Sequence, residues 1–297
     1  GKEFFLFEGR YNKGDKEEKI NCSLQKGQKK TVKRNGKIYD KIADHIGLIP
    51  LVIVSPADRN LIIEGSSTRR KFIDGVIVQT DRIHIKNIYD YNKILSQRNA
   101  LLKFFAKNRT FDQETLSIYN HQMCALAKPI YEKRKSFMEV FIPIFSKRHE
   151  SISQGAEEVD IHYVSDLREN ELEVLLDTHL EKDKILQYSS VGTHKDDLDF
   201  QIAGMPIKKF GSQGQQKTFL IALKLAQFDF IKEKSGMNPI VLLDDIFDKL
   251  DQDRVTQTIQ LFDRDRMGQI FISDTHQDRI KAALQESAFE YEIFNLS

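Results

Sequence analysis

Two cysteines, Cys22 and Cys124, are all the thiols in 297 residues. They are too few and too far apart for a disulfide framework or a thiolate metal cluster, and they read as reduced thiols of a cytosolic protein. Net charge is almost absent too, with 45 lysines and arginines against 44 aspartates and glutamates. That balance excludes a global pull toward nucleic acid, so any DNA-binding surface must be a local basic patch. Long hydrophobic runs are also missing. The longest, Ile46 to Val54, is too short to span a bilayer and contains Gly47 and Pro50. The opening residues alternate like a strand and soon become charged, unlike a signal peptide. The expected place is the cytoplasm, without membrane contact. What is present is an apolar fraction of 40% and a charged fraction of 30%, enough for a packed core under a soluble surface.

Residues 3 to 42 read as antiparallel β structure, with strands at Phe4–Arg10 and Lys19–Leu24. Asn35-Gly36, between TVKR and KIYD, predicts a type I′ hairpin, because both central residues must take positive φ. Ile46 to Val54 reads as a buried strand closed by Ser55-Pro56. From about Arg69 to Gln154 the pattern is helical. Ile88, Leu95 and Leu102 lie seven apart, and a break near Asn108 to Phe111 precedes a run carrying Leu116, Met123, Ile130 and Phe137. Two readings stand here: an antiparallel helical arm, or an ordinary helical subdomain. VDIHYV restores alternation near 157–163, and a helix with Leu172, Val174 and Leu175 follows. After Asp197 strands alternate with helices: strand 198–203, helix 212–232, strand 240–243, helix 254–262, strand 269–273. That succession predicts an α/β sheet with helices on its faces.

Three segments carry candidate chemistry. Pro239 to Asp245 is an apolar run ending in two carboxylates, the pattern of a buried parallel strand whose carboxyl end faces a ligand. Asp244 is assigned to Mg²⁺ and Asp245 to the attacking water. Phe210-Gly-Ser-Gln-Gly-Gln-Gln-Lys-Thr218 opens a long helix. Its glycines, the Ser212 hydroxyl and free helix N–H groups form a site for an anionic phosphate, with Ser212, Gln213, Gly214 and Gln215 as candidates. The same residues also fit a plain helix cap. The segment is not a P-loop, since Gln216 precedes Lys217, and no G-x-x-x-x-G-K-[S/T] occurs. Third, Phe271-Ile-Ser-Asp-Thr-His276 ends a strand. Either Asp274 or His276 fills a phosphate-sensing role there, or Asp274 merely caps a helix.

Several blocks together resemble the RecF family. They are Ser55-Pro-Ala-Asp58, Leu61 to Ser66, Arg69-Arg-Lys-Phe-Ile-Asp74, Gln97 to Leu102 and Val191-Gly-Thr-His-Lys-Asp-Asp-Leu198, followed by the signature-like and acidic segments above. Ser67, Thr193, Lys195, Asp248 and Lys249 depart from the family's usual residues. The resemblance implies a partial ABC-type ATPase head, α/β in class, with an inserted helical subdomain and with the N-terminal strand, P-loop and helix missing. It places Asp251 in a D-loop. It implies ATP and Mg²⁺ as cofactors, an ATP-dependent homodimer, DNA at gaps and junctions as ligand, RecR and RecO as partners, and help in loading recombinase. A complete member is a weak DNA-dependent ATPase, and this chain, without a P-loop, is not expected to hydrolyse ATP alone. The expected division is 1–68 for the rest of the N-terminal lobe, 69–185 for the helical insertion and 186–297 for the C-terminal lobe.

For DNA contact the candidates are Lys29, Lys30, Lys33 and Arg34 on the hairpin, and Arg69 and Arg70. A lysine-protected sheet edge is the other reading of the hairpin, and pairing with a core carboxylate is the other reading of either Arg69 or Arg70. Two alternatives to the whole assignment remain, a non-hydrolysing DNA-binding or scaffold fragment and an ATPase subunit of another ABC class. The helical insertion and the Ser55–Asp74 blocks argue against the last.

Overall fold

A computed structural model of the chain describes residues 3–245, 268–275, 277–285 and 290–295. They divide into two compact units, 1–48 and 49–297. Asp251, His276 and the helix expected at 254–262 lie outside the described residues.

The first unit is an antiparallel sheet of β1 (Phe4–Lys13), β2 (Lys16–Gln25), β3 (Thr31–Arg34) and β4 (Lys37–Ile38), in that order. The β3–β4 turn has φ of 49° at Asn35 and 82° at Gly36, as the Asn-Gly pair requires. Asn35 also fastens the turn to β2: its Oδ1 accepts from Lys19 N at 2.8 Å, and its Nδ2 donates to Glu18 at 2.9 Å. The strand expected at Ile46–Val54 is shorter than its apolar run. Residues 42–45 form a 3₁₀ turn, Gly47 takes φ 81°, and only β5 (Leu51–Val54) is extended. Positive φ at Gly47 and the missing N–H of Pro50 prevent a continuous strand.

In the second unit β5 pairs in parallel with β9 (Ile240–Asp244), which pairs in parallel with β10 (Ile270–Ser273), so β9 is central. The strand expected at 198–203 exists as β7 (Asp197–Ile202), but it does not join this sheet. It pairs antiparallel with β6 (Val159–Val164) and β8 (Met205–Pro206). The local cause is a tight turn with φ of 47° at Ala203 and 72° at Gly204, which returns the chain as a hairpin.

The helices are α1 (Asn60–Ile63), α2 (Ser66–Ile77), α3 (Arg82–Asn108), α4 (Gln113–Ser153), α5 (Leu172–Thr178), α6 (Leu180–Leu186), α7 (Ile207–Phe210), α8 (Gln213–Ser235) and α9 (Gln277–Gln285). Asp81 and Asp112 cap α3 and α4, accepting from Ile83 N and Thr115 N. Between these helices Arg109 takes the left-handed conformation, φ 52°. Helix α4 serves two cores. Its first half packs Met123, Ala127 and Ile130 with Tyr91, Leu172, Leu176 and Val191. Its second half sets Phe137 and Phe145 against Phe230 and Phe219 of α8, with ring centroids 4.8 and 4.7 Å apart. α5, α6 and the 189–195 segment pack against α3 and α4. α8 is buried on most sides, from Phe219 to Ile231, as a central helix between layers must be.

Candidate phosphate and metal site

The signature-like segment begins at a turn only glycine fits. A Cβ on Gly211 would stand 2.7 Å from Ile207 Cγ1 and 2.8 Å from the Ile207 carbonyl oxygen. Gln216 Nε2 donates to the carbonyls of Ile207 and Gly211 and so closes the turn. Ser212 then caps α8 reciprocally. Its Oγ accepts from Gln215 N at 3.2 Å, and Gln215 Oε1 accepts from Ser212 N at 2.8 Å. This is a capping box, so the cap reading of these residues holds. It leaves the phosphate reading open: the Ser212 hydroxyl proton is not consumed by accepting. The N–H groups of Gln213 and Gly214 precede the first intrahelical bond, Gln216 N to Ser212 O. Ser212, Gln213 and Gly214 are exposed, and nothing but the Ser212 hydroxyl lies within 4 Å of where a Gly214 Cβ would be.

The acidic segment ends the central parallel strand. Asp244 faces Ser273 across the β9–β10 pair, and Ser273 Oγ donates to Asp244 Oδ1 at 2.5 Å. Asp245 N donates to the Ser273 carbonyl at 3.1 Å. Asp245 leaves the strand with φ 49°, an uncommon conformation for a residue with a side chain. Both carboxylates are exposed, and Asp274 follows Ser273 on the adjacent strand end. Asp244, Asp245 and Asp274 therefore sit at neighbouring carboxyl ends of parallel strands, where α/β sheets bind ligands.

The two segments lie toward one end of the second unit but are not adjacent. Four residues, 236–239, turn α8 back into β9, so helix and strand run in opposite directions. Midway along α8, Lys224 donates to the Ile53 carbonyl at 2.8 Å and pairs with Asp58 at 2.6 Å. Lys224, the partner of the Asp58 that the sequence blocks single out, escaped the sequence reading; a lysine among the buried apolar residues of α8 was the available signal.

The blocks that carry the RecF resemblance converge on a buried polar network. Arg98, without exposed surface, donates to Asp183 Oδ2, Ser189 Oγ and Asn120 Oδ1 at 2.7–2.8 Å. Arg134 makes two bonds to Asp74, at 3.0 and 2.8 Å, and one to Asp196 at 2.7 Å. Burial opposes the Arg134 charge, but Asp74 and Asp196 outweigh it and raise its pKa. His194 Nε2 lies 3.0 Å from the Ser189 carbonyl and Nδ1 2.9 Å from Tyr91 Oη. Nε2 must therefore carry the proton while Nδ1 accepts from tyrosine. Burial pushes the His194 pKa down to about 4.

In this network the pairing reading of the two arginines fits Arg69. Arg69 is taken up by Asp197, through bonds of 2.6 and 2.9 Å, and by the carbonyls of Leu61 and Glu64. Arg70 donates to the Asp196 carbonyl at 2.5 Å. On the hairpin, Arg34 is bound bidentately to Glu18, whose carboxyl it holds down to about 2. Lys29, Lys30 and Lys33 are exposed. Among the described residues, no helix is long and apolar enough to cross a membrane.

No family model matches the chain. It is similar to the DNA replication and repair protein RecF of Flavobacterium johnsoniae, 56% identical over 296 residues, which is the whole chain and 82% of that protein. Among solved structures it is similar to the recombination mediator protein RecF with ATP, from the RecFOR pathway. The TM-score is 0.84 at 28% identity, covering 93% of this chain and 76% of that one. An Smc head domain from Pyrococcus yayanosii, 11% identical with a TM-score of 0.51 over 95% of this chain and 79% of that one, shares the fold alone. With relatedness of this depth across its whole length, the chain belongs to the RecF family of DNA replication and repair proteins.

Proposed function

We propose that this chain contributes one face of an ATP site shared between two copies, and that closure of the pair on ATP governs its hold on DNA at gaps and junctions, in support of RecO, RecR and recombinase loading. One observation carries the reading: an exposed helix start with backbone N–H groups outside the helical bonds, Ser212 to Gly214, and an exposed acidic strand end, Asp244 and Asp245, in the same unit. Ser212 Oγ and the N–H groups of Gln213 and Gly214 would donate to the γ-phosphate held by the partner, and the α8 dipole would favour that negative charge. Gln215 would hold Ser212 in place through the capping box.

The donor set fits magnesium held jointly with nucleotide. Among the described residues no group of three or more His, Cys, Asp or Glu could hold a metal alone. Asp244 offers one hard oxygen beside Ser273, so water and phosphate oxygens would complete the shell. When bound, the ion neutralises charge on the phosphates. Asp245 would orient and deprotonate the attacking water, and Asp274 would approach the same phosphate from the next strand. By the family resemblance Asp251, and His276 in place of Asp274, would join the same proposed site. DNA contact would fall to Lys29, Lys30 and Lys33, since Arg34 serves Glu18.

Photo-crosslinking tests this assignment. An ATP analogue carrying an aryl azide on its γ-phosphate is added to the chain alone and to the chain mixed with the Flavobacterium relative, each over a series of dilutions. Labelling of 212–215 that rises with chain concentration supports the shared site. Labelling of 212–215 at the same level at every dilution contradicts it.

A further inference from the structure

A groove of about 380 Å³ opens in the helical subdomain, away from the strand ends just described, between α2 and α3 and floored by Ile130 and Arg134 of α4. Its wall on α2 is one stripe, Ser67, Arg70, Lys71, Asp74, Gly75 and Val78, spaced as residues on a single helical face are. From Ser67 to Val78 that stripe runs about 16 Å. Its two ends differ in chemistry. One end holds Ser67, Arg70 and Lys71 on the first turns of α2, whose N-cap is Gly65 with no side-chain cap. The other holds Val78 with Ile85 and Ile88 of α3.

The basic end carries two cations that no carboxylate of the described residues contacts directly. Arg134 is matched by Asp74 and Asp196. Arg70 bonds a carbonyl, and among the described residues neither it nor Lys71 has a carboxylate within ion-pair distance. Burial, with Arg134 beside it, lowers the Arg70 pKa against the opposing pull of Asp196, Asp197 and Asp74. The groove is also kept open at some cost. Gly75 stands inside α2, where glycine weakens a helix, and no atom lies within 4 Å of where its Cβ would be. Mostly apolar grooves with a few convergent polar groups, between helices, are where small ligands bind.

We propose that this groove is a second ligand site, for a small organic anion whose phosphate or carboxylate head meets Ser67, Arg70 and Lys71 and whose apolar body lies on Val78, Ile85 and Ile88. Neither part suffices alone. A bare anion leaves the isoleucines wet, and a neutral apolar molecule leaves Arg70 and Lys71 without an ion-pair contact. Because Arg70 bonds the Asp196 carbonyl, and Asp196 also binds Arg134, occupancy would reach the network holding the helical subdomain to β7.

Calorimetric titration of the chain tests this with phenyl phosphate and octanoate as probes. Inorganic phosphate and acetate are the head-only controls, and benzyl alcohol is the body-only control. At least one probe should bind one-to-one and about tenfold more tightly than every control, and which one does so distinguishes a phosphate head from a carboxylate head. Lys71→Gln should weaken that probe about fivefold by removing one charge partner. Gly75→Leu should abolish binding without lowering the melting temperature, because it fills the groove while improving the helix. Saturable binding of neither probe, or unchanged binding by a folded Gly75→Leu variant, overturns the proposal.

Discussion

Arg98 holds its charge on a side chain with no exposed surface, opposite an equally buried Asp183. Pairs of this kind gain little over apolar packing when intact, but cutting one partner strands the other charge. Arg98→Ala is therefore expected to destabilise the chain by about 3–5 kcal/mol, read from denaturant midpoints. A loss below about 1 kcal/mol would contradict the view of this pair as a buried charge that depends on its partner. His194 makes a separate prediction. Its pKa is about 4 in the folded chain against an ordinary 6.5, so between those values the unfolded state binds the extra proton. Stability is fully present above pH 6.5 and falls as pH drops toward 4, by at most on the order of 3 kcal/mol. Lys195 and Arg70 beside the ring work in the same direction, Asp183 against it. His194→Gln should flatten that limb of a melting-temperature profile, and an unchanged profile would contradict the assignment.

At the scale of elements, the β2–β3–β4 segment carries the DNA prediction. Lys29, Lys30 and Lys33 are exposed there, while Arg34 is fixed to Glu18. Changing the three lysines to glutamine should weaken duplex binding similarly across sequences. It should also reduce the slope of log K against log salt by about one for each phosphate no longer neutralised. An unchanged slope would return these lysines to the role of edge protection. The same hairpin shows what the sequence made legible. Asn35-Gly36 has one backbone solution, and it is the one found. The long helices and the central acidic strand were equally readable, because periodicity and apolar runs are local signals. Sheet membership was not. β7 reads as part of the α/β succession, yet the Ala203-Gly204 turn sends it into an antiparallel sheet. The partner β9 does take, β5, lies nearly two hundred residues earlier. Arg69 and Arg70 show the same limit: a basic pair on a helix looks alike whether solvated or bonded to Asp197 and the Asp196 carbonyl.

At the scale of the whole molecule, the proposed site has two exposed parts, the start of α8 and the acidic end of β9, and Lys224 holds α8 to the Ile53 carbonyl and Asp58. In the proposed account a partner chain brings bound ATP to Ser212. The account then requires ATP to act as adhesive between chains, with the assembled state dissolving when the bridging phosphate leaves. The most direct measurement is light scattering on this chain mixed with its Flavobacterium relative, with and without magnesium and ATP, using parent and Ser212→Arg chains. The account predicts a mixed dimer that needs ATP and disappears with Ser212→Arg, whose long side chain occupies the phosphate approach. A Ser212→Arg chain that still pairs on ATP would contradict it.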